Sequence, residues 1–181
     1  MSTDLSGLVI RDETPEDAEA IMEVTEAAFR DSGLPGERDE QWIVLALRAA
    51  GALSVSLVAE WEDWLVGHIA FSPASMSDGA TGWYMLGPVS VLPQWQGEGI
   101  GSALITAGLD RLRDLGASGC VLVGHPGYYG RFGFVHPEGL AYEGVPPEVF
   151  FALSFDGSWP RGVVRDHPAF RAEAAPGAAV D

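Results

Sequence analysis

Residues 89–104, VSVLPQWQGEGIGSAL, decide the fold of this chain, because an apolar strand runs into a glycine-rich turn and an amphipathic helix follows. Glycines at positions 97, 99 and 101 let consecutive backbone N–H groups converge with no side chain in the way. The turn precedes a helix, whose first N–H groups are unpaired and carry partial positive charge. Such a turn favours a phosphate or pyrophosphate group as its ligand.

Three interpretations of the turn compete. A Walker P-loop is excluded, because no Gly-Lys-Ser/Thr follows the glycines. The Rossmann fingerprint G-x-G-x-x-G fits poorly, since the spacing here is G-x-G-x-G and Ser102 stands where the third glycine belongs. A phosphate site and a glycine turn without a ligand remain as the two alternatives.

Gly87-Pro88, just upstream of the turn, favours the ligand. Proline cannot donate a hydrogen bond within a sheet, so inside a strand it marks an edge or a bulge. A bulge here would splay the strand from its neighbour and leave backbone groups of Val89 and Val91 unpaired. An amide-bearing ligand arm can supply the missing partners.

The charge of the chain excludes several other functions. It has 181 residues, of which 26 are acidic and 10 basic, for a formal charge of −16, and every basic residue is an arginine. Binding to nucleic acid or to an anionic membrane requires clustered Lys and Arg, so we expect neither partner. A mechanism built on a Schiff-base or P-loop lysine is excluded as well. A phosphate ester held by backbone amides remains compatible with this composition.

Cysteine usage and the lack of targeting signals predict a soluble, cytoplasmic protein. Cys120 is the only cysteine, which excludes an internal disulfide and a Cys-rich zinc site, and we expect no metal. The start of the chain, MSTDLSGLVIRDE, lacks the basic region and long apolar run of a secretory signal. The most apolar stretch, residues 43–59, is interrupted by Arg48, Gly51 and two serines, so it does not predict a membrane span.

Apolar periodicity and breaker residues predict a sheet covered by helices. Expected strands lie at 8–11, 55–60, 65–71, 83–91, 119–123 and 149–155, and expected helices at 14–29, 37–50 and 99–115. Residues 32–36, SGLPG, separate the first two helices. This order predicts an α+β or mixed-sheet α/β fold in one domain over residues 1–170, followed by a flexible tail over 171–181.

Two motifs resemble those of the Gcn5-related N-acetyltransferase (GNAT) superfamily. Residues 96–101, QGEGIG, fit its Q/R-x-x-G-x-G/A motif, and residues 128–134, YYGRFGF, resemble its second signature. Residues 67–73, 86–88 and 164–170 look like those of a bacterial branch usually described as predicted N-acetyltransferases. The resemblance spans residues 8–170 and keeps the two motifs in the family's order.

The resemblance implies a GNAT-like, mostly antiparallel sheet that is splayed between its fourth and fifth strands, with acetyl-CoA as cosubstrate in the opening and no metal. It implies that the fourth strand meets the pantetheine arm and that the turn holds the pyrophosphate. The implied cofactor-binding residues are Val89, Ser90, Val91, Gln96, Gly97, Glu98, Gly99, Ile100, Gly101, Ser102 and Tyr128.

The implied reaction moves an acetyl group to a small-molecule or peptide amine, which attacks the thioester directly while both substrates are bound. The amide of Val91 would polarise the thioester carbonyl, and Tyr129 would act as the general acid that protonates the leaving thiolate. Dimers are frequent in this family, so the resemblance is compatible with a homodimer, although the sequence does not determine the oligomeric state. The alternative is a non-catalytic domain that binds or senses acyl-CoA.

The general base is not evident from the motifs, because residues 83–91 contain no acid where many family members carry a glutamate. His68, His125, Glu60 and Glu62 are the candidates, and His68 is preferred because it lies on a strand and histidine titrates near neutral pH. A structural role for His68 and proton transfer through water both stay open. Cys120 is interpreted as a core residue rather than a ping-pong nucleophile.

Acidic residues concentrate in the first third of the chain. Residues 1–63 contain 15 acids and 4 arginines, a net −11, whereas residues 64–181 contain 11 acids and 6 arginines, a net −5. Surface acids commonly serve solubility alone. They also suggest a cationic amine as acceptor, which an acidic entrance would attract.

Overall fold

The computed structural model describes residues 4–30 and 40–172. Its strands are β1 Leu8–Asp12, β2 Val55–Trp61, β3 Trp64–Met76, β4 Trp83–Val91, β5 Gly119–Val123, β6 Leu140–Tyr142, β7 Phe150–Ser154 and β8 Gly162–Arg165. Its α-helices are α1 Ala18–Phe29, α2 Glu40–Ala49 and α3 Ile100–Asp114. The predicted break at 32–36 and all but the first two residues of the predicted tail lie outside the described residues.

The main sheet has the strand order β1-β2-β3-β4-β5-β7. Its neighbouring strands are antiparallel except β4 and β5, which pair in parallel. A short ladder of β6 and β8 joins the far end of β3. The prediction of a mixed, mostly antiparallel sheet with helices on its faces is therefore confirmed.

The helices divide between the two faces of the sheet, because side chains alternate along each strand. On one face, Leu104 of α3 packs in the same apolar cluster as Ile69 of β3. On the other face, Ile21 of α1 and Val44 of α2 pack with Val58 of β2. The sheet thus separates the α3 side, which carries the glycine turn, from the α1/α2 side.

Strands β4 and β5 diverge after a short parallel ladder. They pair only from Trp83 opposite Gly119 to Met85 opposite Val121. Beyond this ladder β4 bulges against β3. Residues 86 and 89 of β4 face residues 71 and 69 of β3, so β4 advances by three residues where β3 advances by two. Gly87-Pro88, joined by a cis peptide bond, lies in the bulge. The bulge and the splay predicted for this segment are both confirmed.

Other parts of the fold differ from the sequence prediction. β3 continues past its predicted end at Phe71 to Met76, and Pro73 is accommodated within it, exposed and opposite Tyr84. β6 and β8 were not predicted, because strands of three and four residues are too short to show an alternating pattern. The first predicted helix begins as a separate 3-10 turn, Pro15–Asp17, ahead of α1.

Candidate active site

The backbone of β4 presents hydrogen-bonding groups to the opening between β4 and β5. Leu92 N–H, at the end of this strand, donates to Val66 O of β3 at 2.9 Å. Antiparallel residues alternate between bonding one neighbour and pointing away from it. In the observed register Ser90 therefore bonds β3, whereas the N–H and C=O groups of Val89 and Val91 point toward the splay. Of the three strand residues predicted to bind the cofactor, Val89 and Val91 therefore direct their backbone groups into the opening, and Ser90 directs its own toward β3.

Gln96 fixes the end of this strand to the glycine turn. Its Nε2 donates to Val91 O at 3.0 Å, so that carbonyl is occupied by the protein itself. The N–H of Val91 stays directed at the opening. A backbone amide in that position can donate to an oxygen that gains negative charge.

A cavity of about 380 Å³, the turn cavity, lies between the glycine turn and the second motif. Gly99 caps α3 with φ +89°, a left-handed conformation that glycine adopts without strain. A Cβ added at Gly97 or Gly99 would meet no atom within 4 Å, so the turn backbone borders open space. The first hydrogen bond of α3 runs from Ala103 N–H to Gly99 O at 3.0 Å. The three N–H groups before Ala103 therefore lack an acceptor in the helix.

Eight of the predicted cofactor-binding residues line this cavity. They are Val91, Gln96, Gly97, Gly99, Ile100, Gly101, Ser102 and Tyr128, and Trp95 and Arg131 complete the wall. Glu98 belongs to the same turn but not to this wall, and Val89 lines the neighbouring cavity. The wall thus combines helix amides with one arginine, a set of donors suited to a pyrophosphate.

Arg131 is a site residue that the sequence analysis missed, although it lies inside the second motif. Its guanidinium carbon lies 4.4 Å from the centre of the Tyr128 ring, and its Nε donates to Tyr128 O at 2.9 Å. Tyr128 Oη in turn lies 2.9 Å from Ser102 Oγ in the first turn of α3. These contacts tie the second motif to the glycine turn and hold a cation beside the helix N-terminus.

A second cavity of about 560 Å³, the splay cavity, occupies the gap that the diverging strands leave. Tyr128 lines the turn cavity and Tyr129 lines the splay cavity, and their rings meet edge to face at 5.0 Å. The splay cavity is lined by Phe29, Glu40, Met85, Leu86, Gly87, Pro88, Val89, Val123, Gly124, His125, Tyr129, Tyr142, Val145 and Phe170. The two cavities therefore adjoin at the tyrosine pair.

Tyr129 carries an available proton at this junction. Burial raises the pKa of its phenol above the ordinary value, so the group is protonated at neutral pH. Gly124 makes room for the ring, since a Cβ there would lie 2.2 Å from Tyr129 Cε2. The sequence analysis did not single out Gly124, although a glycine directly after a buried strand is a signal of close backbone approach.

His68 belongs to neither cavity wall, as far as the described residues define those walls. It is fully buried on the α1/α2 side of β3, with Nε2 2.8 Å from Ser56 Oγ. Burial, and to a smaller extent the positive charge of Arg48, lowers its pKa to about 3, while Asp17 acts in the opposite direction. His68 is therefore neutral at pH 7 and a weak base, which favours the structural role that the sequence left open.

His125 lies in the wall of the splay cavity, directly after β5. Its Nδ1 is 2.7 Å from Pro126 O. A carbonyl oxygen only accepts hydrogen bonds, so Nδ1 carries the proton and Nε2 of the neutral ring keeps a lone pair. Of the histidines proposed from the sequence, His125 is the one that shares a cavity with Tyr129.

The remaining candidates from the sequence have other surroundings. Glu60 forms an ion pair with Arg11 at the outer edge of the sheet, with 2.8 Å between Glu60 Oε2 and Arg11 Nη2. Glu62 lies in the tight turn between β2 and β3, with φ +47°. Cys120 is fully buried, and burial raises the pKa of its thiol, which suits a core residue and not a nucleophile.

A buried carboxylate stands behind the wall of the splay cavity. Tyr142 Oη donates to Asp166 Oδ2, and Arg171 Nε donates to Asp166 Oδ1 at 3.1 Å. The Asp166 side chain is only 5% exposed. Burial and the Asp166 carboxylate both raise the pKa of Tyr142, which keeps the phenol protonated. This pair was not predicted from the sequence, because Tyr142 ends β6 and Asp166 directly follows β8, and only the fold brings these two short strands together.

The described residues, 4–30 and 40–172, contain neither a metal-binding group nor a membrane-spanning helix. Within that part of the chain no three His, Cys, Asp or Glu side chains are grouped so as to hold a metal ion. Nor does any helix there have the length and apolar character needed to cross a bilayer.

A parallel strand pair that splays beside an amide-lined helix N-terminus, with a protonated tyrosine at the junction, is an arrangement suited to the active site of an acyltransferase. The profile of the Acetyltransferase (GNAT) family matches residues 18–134. The chain therefore belongs to the GNAT family of N-acetyltransferases.

Solved structures and sequence relatives agree with this assignment. A GNAT family acetyltransferase from Brucella melitensis, solved in complex with acetyl-CoA, is 51% identical, with a TM-score of 0.80 over 90% of this chain and 97% of that one. YhbS from Escherichia coli, solved in complex with CoA, is 28% identical, with a TM-score of 0.82 over 98% of this chain and 100% of that one. The uncharacterized N-acetyltransferase YjhQ of Escherichia coli strain K12 is 36% identical over 120 residues, which are 65% of this chain and 64% of YjhQ. The predicted family, fold and enzyme class are confirmed.

Proposed function

We propose that this protein transfers the acetyl group of acetyl-CoA to the amino group of an acceptor in a ternary complex. The observation that carries the proposal is the meeting of two cavities at the splay, with helix amides in one and Tyr129 in the other. The Brucella melitensis relative was solved with acetyl-CoA and YhbS with CoA, which supports the same cosubstrate here.

The residues present fit this cosubstrate. The unpaired N–H groups at the start of α3 and the guanidinium of Arg131 are suited to the pyrophosphate. Val89 and Val91 direct strand backbone groups toward the amides of a pantetheine arm, as a missing strand would meet them. Acetyl-CoA, when bound, supplies an activated thioester, and the two valines would orient it toward the splay cavity.

Val91 and Tyr129 act on the reacting atoms in this proposal. Val91 N–H donates to the thioester carbonyl oxygen while negative charge develops there. As the acceptor nitrogen bonds to the carbonyl carbon, the C–S bond breaks and Tyr129 gives its proton to the departing sulfur. The raised pKa of Tyr129 keeps that proton on the phenol until the thiolate forms.

The acceptor nitrogen also loses a proton, and His125 is the base that the geometry favours. It lines the cavity that also holds Tyr129, and its Nε2 keeps a lone pair because Nδ1 carries the proton. His68, the base preferred from the sequence, is enclosed on the α1/α2 side of the sheet, and its lowered pKa makes it a weak proton acceptor. Solvent at the cavity mouth can then return a proton to the Tyr129 phenolate, which balances the cycle.

The test is release of CoA thiol from acetyl-CoA in the presence of a panel of amines. We expect release to depend on an added amine, and Tyr129→Phe to lower kcat by about 100-fold or more without changing the Kd for acetyl-CoA. Tyr84→Phe is the matched control, because it removes a phenol that lines neither cavity. Equal rates for Tyr129→Phe and the control would contradict the general-acid role. Tight acetyl-CoA binding with no turnover on any amine would support a sensing domain instead.

A further inference from the structure

We propose that the splay cavity is the acceptor site and that it selects a primary amine carried on an apolar body, aromatic or branched aliphatic, without a carboxylate or phosphate. This inference rests on the proposed function and names the substrate class for it. It draws on two independent features of the cavity, the apolar part of its wall and the hydrogen-bonding character of its polar part.

The apolar part of the wall comes from four separate segments of the fold. Phe29 ends α1, Pro88 lies in the β4 bulge, Val145 follows β6, and Phe170 lies in the last 3-10 turn. Phe170 approaches the bulge closely, since a Cβ on Gly87 would lie 3.5 Å from its ring. A cavity of about 560 Å³ lined in part by such groups gains binding free energy from an apolar ligand body.

Tyr142 lines this cavity, and its hydroxyl has no proton to donate to a ligand there. Its single hydroxyl proton is committed to Asp166, whose side chain is almost completely buried and also paired with Arg171. The phenolic oxygen therefore has only lone pairs left for a ligand.

His125 and Glu40 have the same hydrogen-bonding character. The Nδ1 proton of His125 is committed to Pro126 O, so its Nε2 can only accept while the ring is neutral. An ionised Glu40 carboxylate likewise only accepts. Tyr129, whose proton is required for the thiolate in the proposed reaction, is the one phenol in the wall assigned to donate.

The charge of the wall points the same way. Among the described residues that line the splay cavity there is a carboxylate and no arginine, and the chain contains no lysine at all. A carboxylate or phosphate on the acceptor would enter an apolar space without a partner, which is unfavourable. An alkylammonium group instead meets acceptors at its polar end and apolar side chains around its body.

Four probe compounds separate these features in the acetyltransfer assay with the full chain. They are 2-phenylethylamine, 3-methylbutylamine, ethanolamine and phenylalanine. The first three carry the same primary amine on different bodies, and phenylalanine adds a carboxylate to the body of 2-phenylethylamine. We expect kcat/KM for the two apolar amines to exceed that for ethanolamine by about 10-fold or more, since each buried methylene contributes about 0.8 kcal/mol. We expect phenylalanine to be a poorer substrate than 2-phenylethylamine by at least as much.

Two variants locate the effect in this wall. Phe170→Ala should raise the KM for 2-phenylethylamine several-fold and leave that for ethanolamine nearly unchanged. Tyr142→Phe keeps the ring but removes the oxygen, and it should raise the KM for every amine while the Kd for acetyl-CoA stays constant. If Phe170→Ala unfolds the protein, Tyr142→Phe and the substrate series still decide the question.

The outcomes separate this inference from the proposed function. Preferential acetylation of ethanolamine or phenylalanine, or equal use of all four compounds, overturns the apolar-amine site and leaves the acetyltransferase function standing. Failure of acetyl-CoA to bind, or absence of turnover on every amine, overturns the proposed function and this inference with it. A KM for amines that is unchanged in both variants places the acceptor elsewhere and overturns the site.

Discussion

Replacement of His68 by asparagine should make the stability of this protein less sensitive to acid. The imidazole is fully buried on the α1/α2 side of the sheet. A charged ring there would be without hydration and would be repelled by the positive charge of Arg48. Its pKa is lowered from 6.5 to about 3 for these reasons. The unfolded chain therefore binds a proton at a pH where the folded chain does not.

The sign and size of the effect follow from this difference in pKa. Below pH 6.5 the unfolded state gains a proton on His68 and the folded state does not, so the free energy of unfolding falls as the pH falls toward 3. A pH of about 5 lies about 1.5 units below the pKa of His68 in the unfolded chain, and each unit is worth about 1.36 kcal/mol. The free energy of unfolding should therefore be about 2 kcal/mol lower at that pH than at neutral pH. Asp17, whose pKa is lowered to about 2, loses its stabilising effect only below 3.8, outside this window.

The assay is urea unfolding of the wild type and of His68→Asn at about pH 7.5 and about pH 5. Asparagine can still hydrogen-bond Ser56 but does not titrate, so the loss between the two pH values should be smaller by about 2 kcal/mol in the variant. His136→Asn is the control, because that exposed side chain lies away from the α1/α2 side. The same acid-induced loss in His68→Asn and the wild type would refute the argument. Turnover of His68→Asn at pH 7.5 should also stay within a few-fold of the wild type, whereas a loss of about 100-fold would restore His68 as the base.

The other predictions concern the active site. Gly101→Ala adds a methyl group 3.8 Å from Val91 Cγ2 at the edge of the turn cavity, so calorimetry should show weaker acetyl-CoA binding. The free energy of unfolding should be unchanged or rise by up to about 1 kcal/mol, because alanine favours a helix more than glycine does. Unchanged affinity for acetyl-CoA would contradict the glycine-turn site. Arg131→Gln should weaken acetyl-CoA about 10-fold, and Arg165→Gln, the control away from the turn cavity, should not. His125→Gln should lower kcat about 100-fold near neutral pH, with recovery as the pH approaches the pKa of the amine itself; a uniform loss at every pH would argue against a base role.

The features predicted correctly from the sequence are those that a short segment determines by itself. Gly87-Pro88 cannot continue a regular ladder, so the bulge followed from proline chemistry, and the splay followed from the bulge. The turn followed from its glycines, which let backbone N–H groups converge, and Gly97 and Gly99 both have positive φ in the structure. In both places local chemistry and the final fold agree, and no distant contact was needed to decide the outcome.

The features that the sequence did not reveal depend on long-range packing. Tyr142 and Asp166 are 24 positions apart and meet only because β6 and β8 pair beside β3. His68 was placed on a strand correctly, but periodicity does not tell which helices cover its face or what charge they bring. Burial therefore keeps uncharged a group that the sequence suggested would titrate near neutral pH, and this is why the proposed base is His125 instead.

The acidic N-terminal part of the chain also has a more specific interpretation in the fold. Five of its acids are paired with arginine in the structure, namely Asp17 and Glu60 with Arg11, Glu13 with Arg48, Glu26 with Arg30, and Asp12 with Arg111. These pairs reduce the long-range field that the composition suggested, and Glu40 is the acid of this part that lines the splay cavity. Because Glu40 lines the proposed acceptor site, we expect attraction of a cationic amine to depend on it more than on the net charge.

This dependence can be measured through salt, which screens charges over about 10 Å at 0.1 M. The KM for 2-phenylethylamine should rise with ionic strength in the wild type and change much less in Glu40→Gln. Glu23→Gln, an exposed acid on α1 that lines neither cavity, is the control and should keep the wild-type salt dependence. If Glu40→Gln and Glu23→Gln respond to salt equally, the attraction comes from the net charge of the surface and Glu40 has no special part in it. If only Glu40→Gln loses the response, the specificity for a cation resides in the same wall that supplies the apolar contacts.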